Sequence, residues 1–251
     1  MTTLLSTTYF GPIQWYQKLC QSDHVLIEQC ETFQKQTYRN RCVIATANGR
    51  QALTVPIDHS PSAIALSAAQ DMTSANTVHR SPFTVQSIKD LRISDHGNWR
   101  HLHWNALVSA YGESPFFDYY QDDLRPFFTE RRWTFLFDFN EEIRLKICEL
   151  LDLHPSVTYT DHYVQSSELN LQVSKDFRDA ITPKRPVVDA DFTPRPYYQV
   201  NGRRHGFLPN LSILDLLFNM GSEGIFWLIA STSFFSSPPG PQSHCSGPVV
   251  L

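Results

Sequence analysis

No apolar run in these 251 residues approaches the roughly 20 needed to span a bilayer. The longest, Ile225–Ala230 with its continuation to Phe235, falls well short, so no membrane span is expected. The opening Met1–Thr8 lacks the charged start and long apolar core of a secretory signal, which leads to the expectation of a cytoplasmic protein. Paired cysteines are missing too. The five, Cys20, Cys30, Cys42, Cys148 and Cys245, are odd in number and form no CxxC, so they read as reduced thiols, with no disulfide framework and no zinc site. A basic excess is absent: the formal net charge of −4 argues against a general nucleic-acid partner. GxxxxGK(S/T), GxGxxG, GxSxG and HExxH do not occur, which removes the common nucleotide, hydrolase and zincin readings. No cofactor is identified, and scattered histidines such as His162 and His205 support no metal site. No repeat of 20–50 residues is visible.

What is there is an ordinary globular chain. Hydrophobic residues at 41% and charged residues at 18% allow one domain with a real core. Leu4–Phe10 reads as a strand ending at Gly11-Pro12, and Pro12 suits the first turn of a helix to about Cys20. His24–Glu28 is a second strand. Arg41–Ala47 and Gln51–Ile57 form a hairpin around Asn48-Gly49, a pair suited to the positive φ angles of a type I′ turn. Residues 58–82 read as an irregular excursion containing a short helix, and Val85–Ser94 as a further strand with Ile88 and Ile93 inward. Trp99, His103, Ala106 and Ala110 make one stripe of a helix over 99–111. Phe116–Phe128 and Asn140–Leu153 are two more helices, the latter capped by Asp138 or Asn140. Val157–Thr160 is a late strand, and Leu211–Met220 a last helix stopped by Gly221. Strands first and helices later predict an α+β fold, with a mixed or antiparallel N-terminal sheet packed by later helices. The domain spans 1–221. The Ser/Pro-rich remainder, 222–251, is expected to be a disordered tail.

Three constellations carry chemistry, each with a plainer alternative. Gln34–Arg41 places Lys35, Arg39 and Arg41 among amides and a tyrosine, where they can converge on phosphate or carboxylate. If 38–42 is extended, Arg39 and Arg41 share one face, and the alternative is a solvated, charge-protected edge strand. His103 shares a helical face with Trp99 and is the default acid–base candidate; the alternative is a satisfied core histidine. Tyr111–Tyr120 supplies aromatics for a sugar pocket or for packing. Cys42 sits beside Arg41, where a lowered thiol pKa or an inert buried thiol are both open. Gln14 and Lys18 fall i, i+4 on one side of the first helix, ordinarily an exposed arrangement.

Tyr9–Lys18, Ile27-Glu28, Gln34–Arg41 with Ile44, Leu53–Pro56, Trp99 with His103, Tyr111 with Ser114–Phe117 and Leu211–Asn219, in that order over residues 4–221, resemble the WbqC-like protein family. The form of Gln34–Arg41 and of Tyr197–Val200 looks like the branch common in Bacteroidetes. The resemblance implies a role in O-antigen-like surface-polysaccharide biosynthesis. It suggests a cytoplasmic step on a nucleotide sugar or carrier-linked intermediate, such as acyl or aminoacyl transfer to an amino sugar. The alternative is a non-catalytic sugar-nucleotide-binding or scaffold protein of the same machinery. In the enzymatic reading His103 is the general base and Lys35, Arg39, Asn40 and Arg41 bind substrate. Trp99 and Tyr111 form the walls. The oligomeric state is not indicated.

Overall fold

The structure, a computed structural model, describes residues 2–58, 86–165, 167–168, 175–184 and 186–229. Its centre is a four-stranded parallel sheet. β1 (Thr2–Ser6) pairs with β2 (His24–Glu28) in the register Thr2↔His24 to Ser6↔Glu28, joined by α1 (Ile13–Gln21). β5 (Val157–Tyr159) adds to the outer side of β2 and β6 (Lys175–Asp176) to the free side of β1, giving the order β5-β2-β1-β6. Parallel sheets are covered on both faces, which explains why consecutive Thr3, Leu4 and Leu5 are all fully buried. Between β2 and β5 the chain makes an antiparallel hairpin, β3 (Arg41–Thr46) and β4 (Gly49–Thr54), and then a helical layer. That layer is α2 (Trp99–Tyr111), α3 (Phe117–Leu124), α4 (Pro126–Thr129) and α5 (Leu136–Leu150). After β6 come α6 (Gly202–His205), α7 (Ile213–Met220) and α8 (Ile225–Ile229). The fold is α+β, its main sheet parallel, with an antiparallel hairpin and isolated antiparallel bridges such as Pro12↔Ser212 and Thr32↔Ser87.

The core is unusually aromatic where the helical layer meets the end of β1. Phe10 stacks on Phe128 with ring centroids 5.7 Å apart, and Phe139 packs between Tyr9 and Trp133. Phe117 lies against Trp104 and Phe218, so this part of the 111–120 segment packs inward. Phe10 is held at φ 41, a conformation a bulky residue adopts only when surrounding contacts enforce it. Those contacts include Ser212, whose hydroxyl donates to the Phe10 carbonyl (2.8 Å) and accepts from the Leu214 amide at the start of α7.

Several local expectations are revised. Arg41 starts β3, but 38–40 is a turn, so Arg39 and Arg41 do not share a strand face. The hairpin loop is Ala47-Asn48, with Gly49 (φ 99) opening β4; Asn48 has no positive φ, so the type I′ turn is not formed. Val85–Ser94 is no strand where it is described: a 3-10 turn covers Ile88–Asp90 and only isolated bridges follow. The 116–128 helix breaks at Pro126, which cannot donate an amide bond and instead starts α4. α5 begins at Leu136 with no side-chain cap, placing Asp138 and Asn140 inside it. Gln14 and Lys18 are buried rather than exposed, both bonded to Asp189. Residues 221–229, where the tail was expected to begin, fold: Leu228 is fully buried and its carbonyl accepts from Gln21. The excursion expected at 58–82 lies, but for residue 58, outside the described residues, as does the segment 230–251.

Candidate functional site

Ligands of parallel sheets bind in the crevice beyond the carboxyl ends of the strands. Here β2, β5 and β6 all end on one cavity of about 250 Å³. Its lining includes Cys30, Glu31 and Gln34 beyond β2, Tyr163 beyond β5, and Arg178 and Asp179 beyond β6. Two buried ion pairs make its floor. Glu28, the last residue of β2, accepts from Thr160 Oγ1 (2.7 Å), the Cys30 and Val164 amides (2.8 and 3.0 Å) and Arg178 Nη1 (3.2 Å). Arg178 also donates to Asp176 and to the Val164 carbonyl, and its guanidinium lies 4.8 Å over the Tyr163 ring. Arg39 forms a bidentate pair with Glu31 and donates to Ser6 Oγ (2.8 Å) at the end of β1.

The electrostatics follow from burial. The side chains of Arg39 and Glu31 are 2% and 4% exposed, so each needs the other to be charged at all. Burial pushes the Glu31 carboxyl up and Arg39 opposes it. Asp179 stands apart at 73% exposed, 3.9 Å from Arg39 and accepting from Gln34 at the mouth (3.2 Å). The charged residues of the lining are Glu31, Arg178 and Asp179; Glu31 is held by Arg39 and Arg178 by Glu28 and Asp176, so the exposed Asp179 leaves the mouth acidic. Burial raises the Cys30 thiol pKa despite the nearby Lys89, and no histidine lines this cleft among the described residues. Such a site holds hydrogen-bond donors and cations: hydroxyls and ammonium groups.

The residues singled out from sequence are distributed over several places. Arg39 lies in the floor of this cleft, and Lys35 is exposed on the turn before it. Asn40 donates to the Val55 carbonyl (2.8 Å), holding the end of the hairpin. Arg41 Nε reaches Thr54 Oγ1 (3.1 Å), and His103 bonds the Thr54 backbone carbonyl, so Arg41 and His103 meet at one residue of β4. His103 Nδ1 faces the Tyr9 hydroxyl at 2.9 Å, and burial lowers its pKa to about 4, leaving a neutral imidazole. It lines neither described cavity. Trp99 packs edge-on to it and donates to the Ser94 carbonyl, while Tyr111 is bound to Asp215. Cys42 is buried and its thiol pKa raised, the inert alternative. Tyr9→Phe, which orphans His103 Nδ1, is expected to cost about 1–2 kcal/mol in urea unfolding with secondary structure unchanged.

Sequence reasoning did not single out Glu31, Tyr163, Arg178 or Asp179. Their one local signal is Ile27-Glu28, an acid closing an apolar strand; the others arrive from as far as 150 residues away. Among the described residues no group of three or more His, Cys, Asp or Glu is arranged to hold a metal, and no helix is long and apolar enough to cross a membrane.

The WbqC-like protein family matches residues 7–81 and 66–184. An uncharacterised protein of Mycobacterium tuberculosis, Rv1507c, is 26% identical over 223 residues, covering 80% of this chain and 85% of its own. No solved structure is significantly similar.

Proposed function

The chain belongs to the WbqC-like protein family, and on that premise we propose that it serves surface-polysaccharide biosynthesis by binding an amino-sugar precursor in the cleft at the carboxyl edge of its sheet. The observation that carries this reading is the acidic lining. Carboxylates and the Gln34 amide accept from sugar hydroxyls, the Tyr163 ring offers a flat apolar face, and Asp179 at the mouth offsets an ammonium group. The proposed step is a cytoplasmic acyl or aminoacyl transfer. The bound ammonium first passes one proton to Asp179, the resulting free amine attacks the carbonyl of an activated acyl donor, the N–C bond forms as the bond to the leaving group breaks, and the second amine proton departs with the leaving group. In this reading Arg39 shapes the floor through Glu31 rather than binding a diphosphate, and His103 braces Tyr9 and Thr54 rather than acting as base.

A second reading, binding without transfer, is favoured by one specific feature: among the described residues the cleft contains no paired nucleophile and base, since burial raises the Cys30 thiol pKa and no histidine lines the cleft beside it. Calorimetry with nucleotide-linked amino sugars, alongside turnover with activated acyl donors, tests both. Wild type is expected to bind the free-amine sugar, and Asp179→Asn to weaken it by about tenfold. Equal affinity for the amino sugar and for its N-acetylated or hydroxyl counterpart would defeat the ammonium reading. Binding with no turnover of any donor would select the non-catalytic role.

A further inference from the structure

Single aromatic side chains are often exposed on a protein surface, but one held rigidly in the wall of a concave site points to a ligand. Of the large apolar side chains exposed among the described residues, Tyr163, at 50%, is the one that lines a described cavity. A second cavity, of about 100 Å³ at the start of α2, contains none of them. Tyr163 is fixed from both sides. Before it, the Thr160 amide donates to the Ile27 carbonyl (3.1 Å) and Thr160 Oγ1 to Glu28. After it, the Val164 amide donates to Glu28, and the Val164 carbonyl accepts from Arg178 Nη1 (2.9 Å). The Arg178 guanidinium covers one face of the ring, 4.8 Å from its centroid. The Tyr163 hydroxyl makes no hydrogen bond among the described residues, and the exposed side of the ring stays open to the cleft.

We propose that Tyr163 is a stacking platform that makes the cleft specific for a closed sugar ring, a pyranosyl amine lying with a face of C–H groups on the aromatic ring and its amine at Asp179. The assignment rests on the amino-sugar reading of the cleft and adds the shape of the ligand to its charge. A ring polarised by one cation holds a second only weakly, so the ammonium belongs to Asp179, next in the chain to Arg178, and the open face of Tyr163 to neutral groups. A pyranose with equatorial hydroxyls presents its axial hydrogens as a flat apolar face, while the hydroxyls point outward from its rim, toward polar groups such as Gln34. An open-chain sugar has no such face, and must freeze several bonds to imitate one. The cavity of about 250 Å³ lies below the roughly 300–1,000 Å³ of sites for drug-sized molecules, so it takes one small ring rather than a nucleotide.

Calorimetry of the full chain with the methyl glycoside of glucosamine and with glucosaminitol, its reduced open-chain form, tests this: both carry the amine, and one carries the ring. Wild type is expected to prefer the glycoside by about tenfold. Tyr163→Ala is expected to weaken the glycoside by about tenfold and the open-chain amine by less than about twofold, so that the preference is lost. Half of this side chain is exposed, so the variant is expected to melt near wild type. Tyr163→Phe keeps the ring and is expected to restore the preference. Tyr119→Ala removes a more exposed tyrosine outside both cavities and is expected to bind as wild type does. Failure of both ligands to bind wild type would remove the amino-sugar reading and the platform with it. Binding of both that Asp179→Asn weakens, but with equal affinity for the two or no change in Tyr163→Ala, would overturn the platform alone. Tyr163-dependent binding of uridine that excludes the glycoside would assign the ring to a nucleobase and overturn it as well.

Discussion

Replacing Arg39 by alanine is expected to destabilise the fold by about 3–5 kcal/mol, because it strands the buried Glu31 carboxylate without its cation. Glu31 loses two donors at once, and Ser6 Oγ at the end of β1 loses a third contact to the same guanidinium. The Arg39 carbonyl is itself held by Asn140 Nδ2 (2.8 Å), so the damage passes from the carboxyl edge of the sheet into α5. At roughly 2–4 °C per kcal/mol for a chain of this size, the melting temperature should fall by about 6–20 °C. Scanning calorimetry measures this directly. The double change Arg39→Met with Glu31→Leu removes both charges while keeping volume, and is expected to recover most of the loss. A single-variant loss below about 1 kcal/mol would mean that water reaches Glu31, and that the cleft floor is not the rigid element described above. The logic separates this pair from exposed ones such as Arg132 with Glu142, where truncation is expected to move stability by only a few tenths of a kcal/mol.

Arg39 also shows what the sequence could and could not reveal. Its position in a run of cations and amides marked it as special, but nothing local disclosed that Glu31, eight residues earlier, would absorb its charge. Elements with strong local periodicity were readable: the second strand and the Trp99–Tyr111 helix fall where the pattern puts them. The segment 85–94 was not, because Ile88 and Leu91 are buried and Ile93 half-buried by a 3-10 turn and by isolated bridges to distant residues, and an apolar alternation does not distinguish these from a strand. β6 is two residues long and carries no periodic signal at all. It exists because Phe177 N–H bonds the Leu4 carbonyl and Arg178 anchors on Glu28, the latter a contact made across 150 positions. The cleft inherits that limit. β5 falls where the sequence puts a late strand, but the wall beyond β6 is contributed by a strand end that local propensity does not specify, whereas the α+β class needs only the number and order of elements.

The second large effect is expected at Asp215, which makes no ion pair among the described residues. Its side chain, on α7, is fully buried, accepting from Tyr111 Oη (2.8 Å) on one oxygen and from Tyr197 Oη and Gln199 Nε2 (2.9 Å) on the other. Tyr111 in turn accepts from the Ala45 amide, and Gln199 is clamped at both ends of its amide to Leu208. One carboxyl therefore joins α2, the hairpin, the 197–208 segment and α7. Asp215→Ala leaves three buried donors unmet and a small void, for an expected loss of about 3–5 kcal/mol. Burial, opposed by the three donors, holds the Asp215 pKa above its ordinary 3.8. A raised folded-state value means that folding favours the protonated form. Its contribution is then full below about pH 3.8 and fades as pH rises through the folded value. Alanine does not titrate, so the stability gap between wild type and Asp215→Ala should be widest under acid conditions and narrow as pH rises. Urea unfolding of both proteins across that range measures the gap. A gap that widens with pH would show that the carboxylate, not the acid, is the form these tyrosines were arranged to hold.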